Sequence, residues 1–136
     1  MKILIMGLPG SGKSGLAIKL HSFLPDSVRL NADVVRRETD DWDFSLDGRI
    51  RQAVRMRNKA EYYKKCQYVI ADFVAPLNIH RKIFDPDILI WMNTIQFSEY
   101  EDTNKIFEPP EKYDFMIERH EEINKLFSDL QELMKI

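Results

Sequence analysis

The sequence has 136 residues, with 20 Lys and Arg against 22 Asp and Glu, a net charge of −2 and a hydrophobic fraction of 44%. That length sets the expectation of one domain over residues 1–136, and the composition excludes a disordered or fibrous chain. A single cysteine, Cys66, leaves no internal disulfide, and no apolar run is long enough to cross a bilayer, so a cytoplasmic protein without a membrane partner is expected. Lys2 to Met6 (KILIM) reads as a buried strand ending at Gly7. Lys13 to Phe23 carries Leu16, Ala17, Leu20 and Phe23 on one helical face, and Pro25-Asp26 marks the turn after it. Val28 to Asn31 is a second strand with Asp33 directly beyond its end, and a polar stretch, Thr39 to Ser45, leads into a long helical pattern from Asp47 to Lys65. Tyr68 to Asp72 is a third strand, Leu77 to Phe84 a short helix and Ile88 to Met92 a fourth strand. Residues 98–113 are polar, contain Pro109-Pro110 and are expected to form a surface loop. Tyr113 to Ile117 is a fifth strand candidate. The chain closes with a helix whose Ile123, Leu126, Phe127, Leu130, Leu133 and Met134 form one stripe, suited equally to a core or to a homodimer. Strands alternating with helices predict an α/β fold, a mostly parallel five-stranded sheet covered on both faces.

Charge is unevenly distributed. Residues 1–65 hold 13 Lys and Arg against 8 Asp and Glu, and residues 66–136 hold 7 against 14. A basic first half in an acidic chain points to a confined anion site.

Gly7-Leu8-Pro9-Gly10-Ser11-Gly12-Lys13-Ser14 matches G-x-x-x-x-G-K-[ST] in full and lies between a strand and a helix. The loop's backbone N–H groups converge on phosphate oxygens, and the following helix directs its positive end at the same point. Lys13 reaches the β- and γ-phosphates of ATP, and the Ser14 hydroxyl ligates Mg²⁺. Gly15 follows, in the first helical turn, where Thr is usual.

The second strand separates kinases from other users of this loop. Asp33 at the strand's carboxyl end faces the ligand crevice of a parallel sheet, and Arg36 follows three residues later. A carboxylate there accepts the proton of an attacking hydroxyl while the arginine holds an acceptor's phosphate. Aromatic Trp42 and Phe44 stand in the polar loop beside them, where base stacking is plausible. The histidines have no metal-binding spacing, and Cys66 has no partner.

GLPGSGKS, LNADVVRRE, Phe44-Ser45 before an arginine-bearing helix, and DFVAP together resemble the adenylylsulfate kinases over roughly residues 1–95. The resemblance implies a three-layer P-loop kinase that phosphorylates adenosine 5′-phosphosulfate with ATP and Mg²⁺. It further implies Asp33 as the catalytic carboxylate and Arg36, Arg49 and Arg55 as acceptor contacts. Phe44 would stack on the acceptor's adenine, and Phe73 and Val74 would lie in a backbone wall of its site. The same loop and Asp-x-x-Arg pattern also resemble phage-type polynucleotide 5′-hydroxyl kinases and kinases of hydroxymethylated DNA bases, which keeps DNA as an alternative substrate. A third reading, from another class, is an ATP-binding regulator with little turnover.

The chain departs from the family pattern at its lid. Asn93 to Pro110 contains a single cation, Lys105, where the family has a basic helix, so the lid is expected to be reduced, or Arg81 to do its electrostatic work. Asn31 stands where the family has its first Asp, and Asp72 where it has Ser or Thr, so Asp72 is expected to join Ser14 at the metal.

Overall fold

The computed structural model describes residues 1–135. Its elements in chain order are β1 (Lys2–Met6), α1 (Lys13–Phe23), β2 (Ser27–Asn31), α2 (Ala32–Thr39), α3 (Leu46–Tyr62), β3 (Tyr68–Asp72), α4 (Asn78–Phe84), β4 (Ile88–Met92), α5 (Glu101–Ile106), β5 (Phe115–Ile117) and α6 (Ile123–Met134). A single 3₁₀ turn, His120–Glu122, leads into α6. The strands form one sheet in the order β2-β3-β1-β4-β5, with every pairing parallel. The expected α/β fold and five-stranded sheet are thus present.

Alternation along β1 shows how the layers are made. Ile3 and Ile5 point into one cluster with Leu16 and Leu20 of α1 and with Leu126 and Leu130 of α6. Leu4 and Met6 point into the other with Met56 of α3, Val69 of β3 and Phe84 of α4. Apart from Lys2 at the start of β1 and Asp72 at the end of β3, the central strands β1, β3 and β4 are consequently apolar, as parallel strands covered on both faces must be. The α6 stripe is divided: Ile123, Leu126 and Leu130 enter the core, while Leu133 stays 58% exposed.

Two helices lie where the sequence predicted turn or loop. α2 begins directly after β2 because Asn31 caps it, its Oδ1 accepting the Val34 N–H at 3.2 Å. α5 interrupts the expected 98–113 loop for six residues. The chain between α2 and α3 is strapped to the α3 surface. Asp41 takes Arg51 at 3.0 Å and Arg55 at 2.8 Å, and Asp43 takes Arg51 at 2.7 Å. Ser45 caps α3 by accepting the Gly48 N–H at 3.2 Å. Position 48 needs glycine, since a Cβ there would run into the Asp43 carbonyl. Among the described residues no helix is long and apolar enough to cross a membrane.

Candidate active site

Carboxyl ends of β1, β2 and β3 meet at one end of the sheet, and the candidate residues collect there because three adjacent parallel strands all point that way. From β1 the chain passes Gly7 through Gly12 and enters α1 at Lys13. Gly12 has φ 97°, and a Cβ on it would meet the His120 ring at 3.0 Å, so the left-handed turn and the close approach both require glycine. Lys13 Nζ donates to the Leu8 carbonyl at 2.9 Å. Burial lowers the Lys13 ammonium to about 8, against the opposing pull of Asp72 and Asp33. The loop is further held by Thr94, whose hydroxyl donates to the Ser11 carbonyl at 2.7 Å. Thr94 and His120 escaped sequence reasoning. Their only signal is position, each two or three residues past the end of a strand.

The metal side of the loop is equally compact. Ser14 Oγ donates to Asp72 Oδ2 at 3.0 Å and accepts from Asn31 Nδ2 at 3.4 Å, which leaves one lone pair for a cation. Asn31 Nδ2 donates to the same carboxylate oxygen at 2.8 Å. Arg29 of β2 lies alongside, its Nε 3.2 Å from Asp72 Oδ1 and its Nη2 3.4 Å from Oδ2. One hydroxyl and one carboxylate beside a phosphate loop suit Mg²⁺, a hard cation that takes few protein oxygens and keeps much of its water. Among the described residues no three His, Cys, Asp or Glu converge into an all-protein metal cage.

Across from the loop lies a cavity of about 80 Å³. Asp33 and Arg36, one turn apart on α2, form one side, and Arg49 and Gln52 of α3 another. Phe73, Val74, Ala75 and Pro76 make the apolar wall. Arg36 is nearly buried: its Nη1 donates to the Asp41 carbonyl at 2.9 Å, and its guanidinium stacks 4.2 Å from the Phe44 ring centre. Arg49 donates from Nε to the Phe44 carbonyl at 2.8 Å and from Nη2 to Thr103 Oγ1 of α5 at 2.9 Å. Arg36, Phe44, Arg49, Phe73 and Val74 therefore come together as expected. Arg55 does not join them; it is held by Asp41 and the Gln52 amide oxygen, and it strengthens the strap instead of lining the cavity.

The sequence matches the adenylylsulphate kinase family over residues 1–117. The chain belongs to that family. Membership makes it a P-loop, nucleotide-binding phosphotransferase whose class uses a hydroxyl acceptor. A sequence search among proteins of curated function returns no match. Solved structures of adenylylsulfate kinases share the fold. One from Mycobacterium tuberculosis, described in complex with AMPPNP and APS, superposes with a TM-score of 0.78 at 17% identity over 99% of this chain and 97% of that one. The hexameric enzyme from Thiobacillus denitrificans gives 0.75 at 22% identity, over 96% of this chain and 28% of that one. Shikimate kinase from Acinetobacter baumannii, in complex with shikimate, gives 0.60 at 17% identity over 98% and 93%.

Against the adenylylsulfate kinase pattern, three features of this chain stand out. α5, between β4 and β5, is a short acidic helix, anchored where Thr103 accepts from Arg49 and Asp102 approaches the same guanidinium at 3.5 Å. Arg81 does not supply a cation to the nucleotide site. It is buried, donating to the carbonyls of Ala75, Pro76 and Glu108, and it holds Ala75 in the left-handed region at φ 45°. The third is His80, also missed from sequence. It is 1% exposed on the cavity wall, its Nδ1 accepts the Leu77 N–H at 3.1 Å, and its Nε2 has no partner. Burial, with Arg49 and Arg81 nearby, lowers its pKa to about 4 and keeps the ring neutral.

Proposed function

We propose that the protein transfers the γ-phosphoryl group of ATP to a hydroxyl of adenosine 5′-phosphosulfate, as a single cytoplasmic domain serving sulfate assimilation. The observation that carries this reading is the position of Asp33. It lines the acceptor cavity one turn before Arg36 on α2, and its charge favours the ammonium form of Lys13 in the phosphate loop. A carboxylate there is in place to take the proton of an acceptor hydroxyl as the phosphoryl group transfers.

Lys13 and the backbone N–H groups of residues 7–15, Pro9 excepted, cradle the triphosphate. Ser14 and Asp72 would hold Mg²⁺, which would supply positive charge against the transferring group. Arg36 and Arg49 grip the anionic part of the acceptor, and the open face of Phe44 receives its base against the Phe73–Val74 wall. The Mycobacterium tuberculosis structure, which holds AMPPNP and APS on the same fold, supports this choice of ligands.

Purified protein incubated with γ-labelled ATP and three acceptors tests the reading. Label is expected on adenosine 5′-phosphosulfate. Label on a DNA 5′ end or hydroxymethylated base would overturn the acceptor, and bound ATP without transfer would favour a regulator. Asp33→Asn is expected to reduce transfer by roughly a hundredfold or more while nucleotide affinity holds; equal loss of both would make Asp33 structural.

A further inference from the structure

Asp72 is nearly buried, and four donors crowd its carboxylate. Ser14 and Asn31 are parts of the loop and of the α2 cap, and both are neutral. Arg29 is different. It brings a full positive charge onto both carboxylate oxygens from the middle of β2, two residues before Asn31 and on the same face of the strand. Its side chain is 25% exposed, whereas that of Asp72 is 2% exposed, so the arginine has a route to water and the carboxylate has none.

A divalent cation arriving at Ser14 meets a carboxylate whose charge is already neutralised. Water molecules on the metal need acceptor oxygens, and here the acceptors are filled. Arg29 and Lys13, both half-buried, also repel the incoming ion. We propose that Arg29 is an internal counter-ion to Asp72 which Mg²⁺ must displace, so that it sets the Mg²⁺ concentration at which the site takes nucleotide. The inference rests on the assignment of Ser14 and Asp72 to the metal. It adds that the affinity of that site is held down by a residue of the edge strand.

Calorimetric titration of AMPPNP into the protein at a series of MgCl₂ concentrations tests it without turnover. Arg29→Gln is expected to lower the half-saturating Mg²⁺ roughly tenfold, the scale of effects from residues that bind metal ligands. Arg29→Lys keeps the charge and is expected to stay near the parent. In an Asp72→Asn background, exchanging Arg29 for Gln is expected to change nothing. Thermal melting of each variant separates a folding defect from a metal effect, since a merely structural Arg29 moves the melting temperature and leaves the Mg²⁺ dependence alone. If AMPPNP binding in the parent ignores Mg²⁺, the metal assignment fails and the proposal with it. If binding depends on Mg²⁺ equally in the parent and in Arg29→Gln, the assignment stands and the proposal alone is overturned.

Discussion

Lys13, half-buried, and His80, buried, are two bases on opposite sides of the site, and loss of solvent pushes each toward its neutral form. For Lys13 the ordinary value of 10.5 falls to about 8. A polyphosphate restores the preference for the ammonium, so nucleotide binding near pH 8 is expected to take up protons, and affinity to decline above that pH. Calorimetry in buffers of different ionisation enthalpy measures the uptake, and Lys13→Met is expected to abolish it. For His80 the folded value of about 4 lies below the ordinary 6.5. The unfolded chain therefore binds this proton more readily. The stability that the neutral ring contributes is complete above pH 6.5 and is lost as pH falls through 6.5 to about 4. At about 1.4 kcal/mol per pH unit, the loss reaches about 3 kcal/mol. Melting curves across that window are expected to show a shallower acid dependence for His80→Phe. Neither effect was legible in the sequence, because a motif names Lys13 without its burial, and a lone histidine on a short helix carries no sign of what faces it.

At the scale of elements, the wall of the acceptor cavity depends on α4. Arg81 of that helix ties down the Ala75 and Pro76 carbonyls and the Glu108 carbonyl beyond α5. Arg81→Leu strands the buried Ala75 carbonyl and removes a donor from the Glu108 carbonyl and from that of Pro76, which keeps the Glu108 N–H, and it is expected to cost about 2 kcal/mol in stability. Because the wall lies on the acceptor side, the same variant is expected to raise the acceptor KM while AMPPNP affinity is kept; a matched loss of both would place its effect elsewhere. The two unforeseen helices have physical reasons for being hidden. α2 buries Val35 and Arg36 but leaves Val34 43% exposed, so its hydrophobic pattern contradicts its packing. α5 buries only Thr103 and is held by one hydrogen bond and one ion pair to Arg49, which leave no apolar period to read. The long helices and central strands were readable because their apolar spacing and their burial agree. Arg49 was readable through family register alone, and Arg55 showed the limit of register, since the nearer Asp41 claims it.

Over the whole molecule, two apolar clusters clamp the sheet, and α6 closes the one built on Ile3 and Ile5. Leu130 is fully buried there. Leu130→Ala is expected to cost about 3 kcal/mol and to lower the melting temperature by on the order of 10 °C. The parallel five-stranded plan was visible in the sequence because strand and helix periods alternate along it. The strand order was not, since nothing local in β3 says that it sits between β1 and β2. That order makes β2 and β5 the outer strands, and it gives Arg29 a role apart from chemistry. An open strand edge invites pairing with another polypeptide, and a charged side chain turned inward discourages it. β2 is five residues long and carries such a charge at its centre, and β5 offers only three residues. Both borders of the sheet are thereby poor templates for intermolecular β-pairing, so a chain of this length keeps a strongly apolar sheet with little exposure to aggregation.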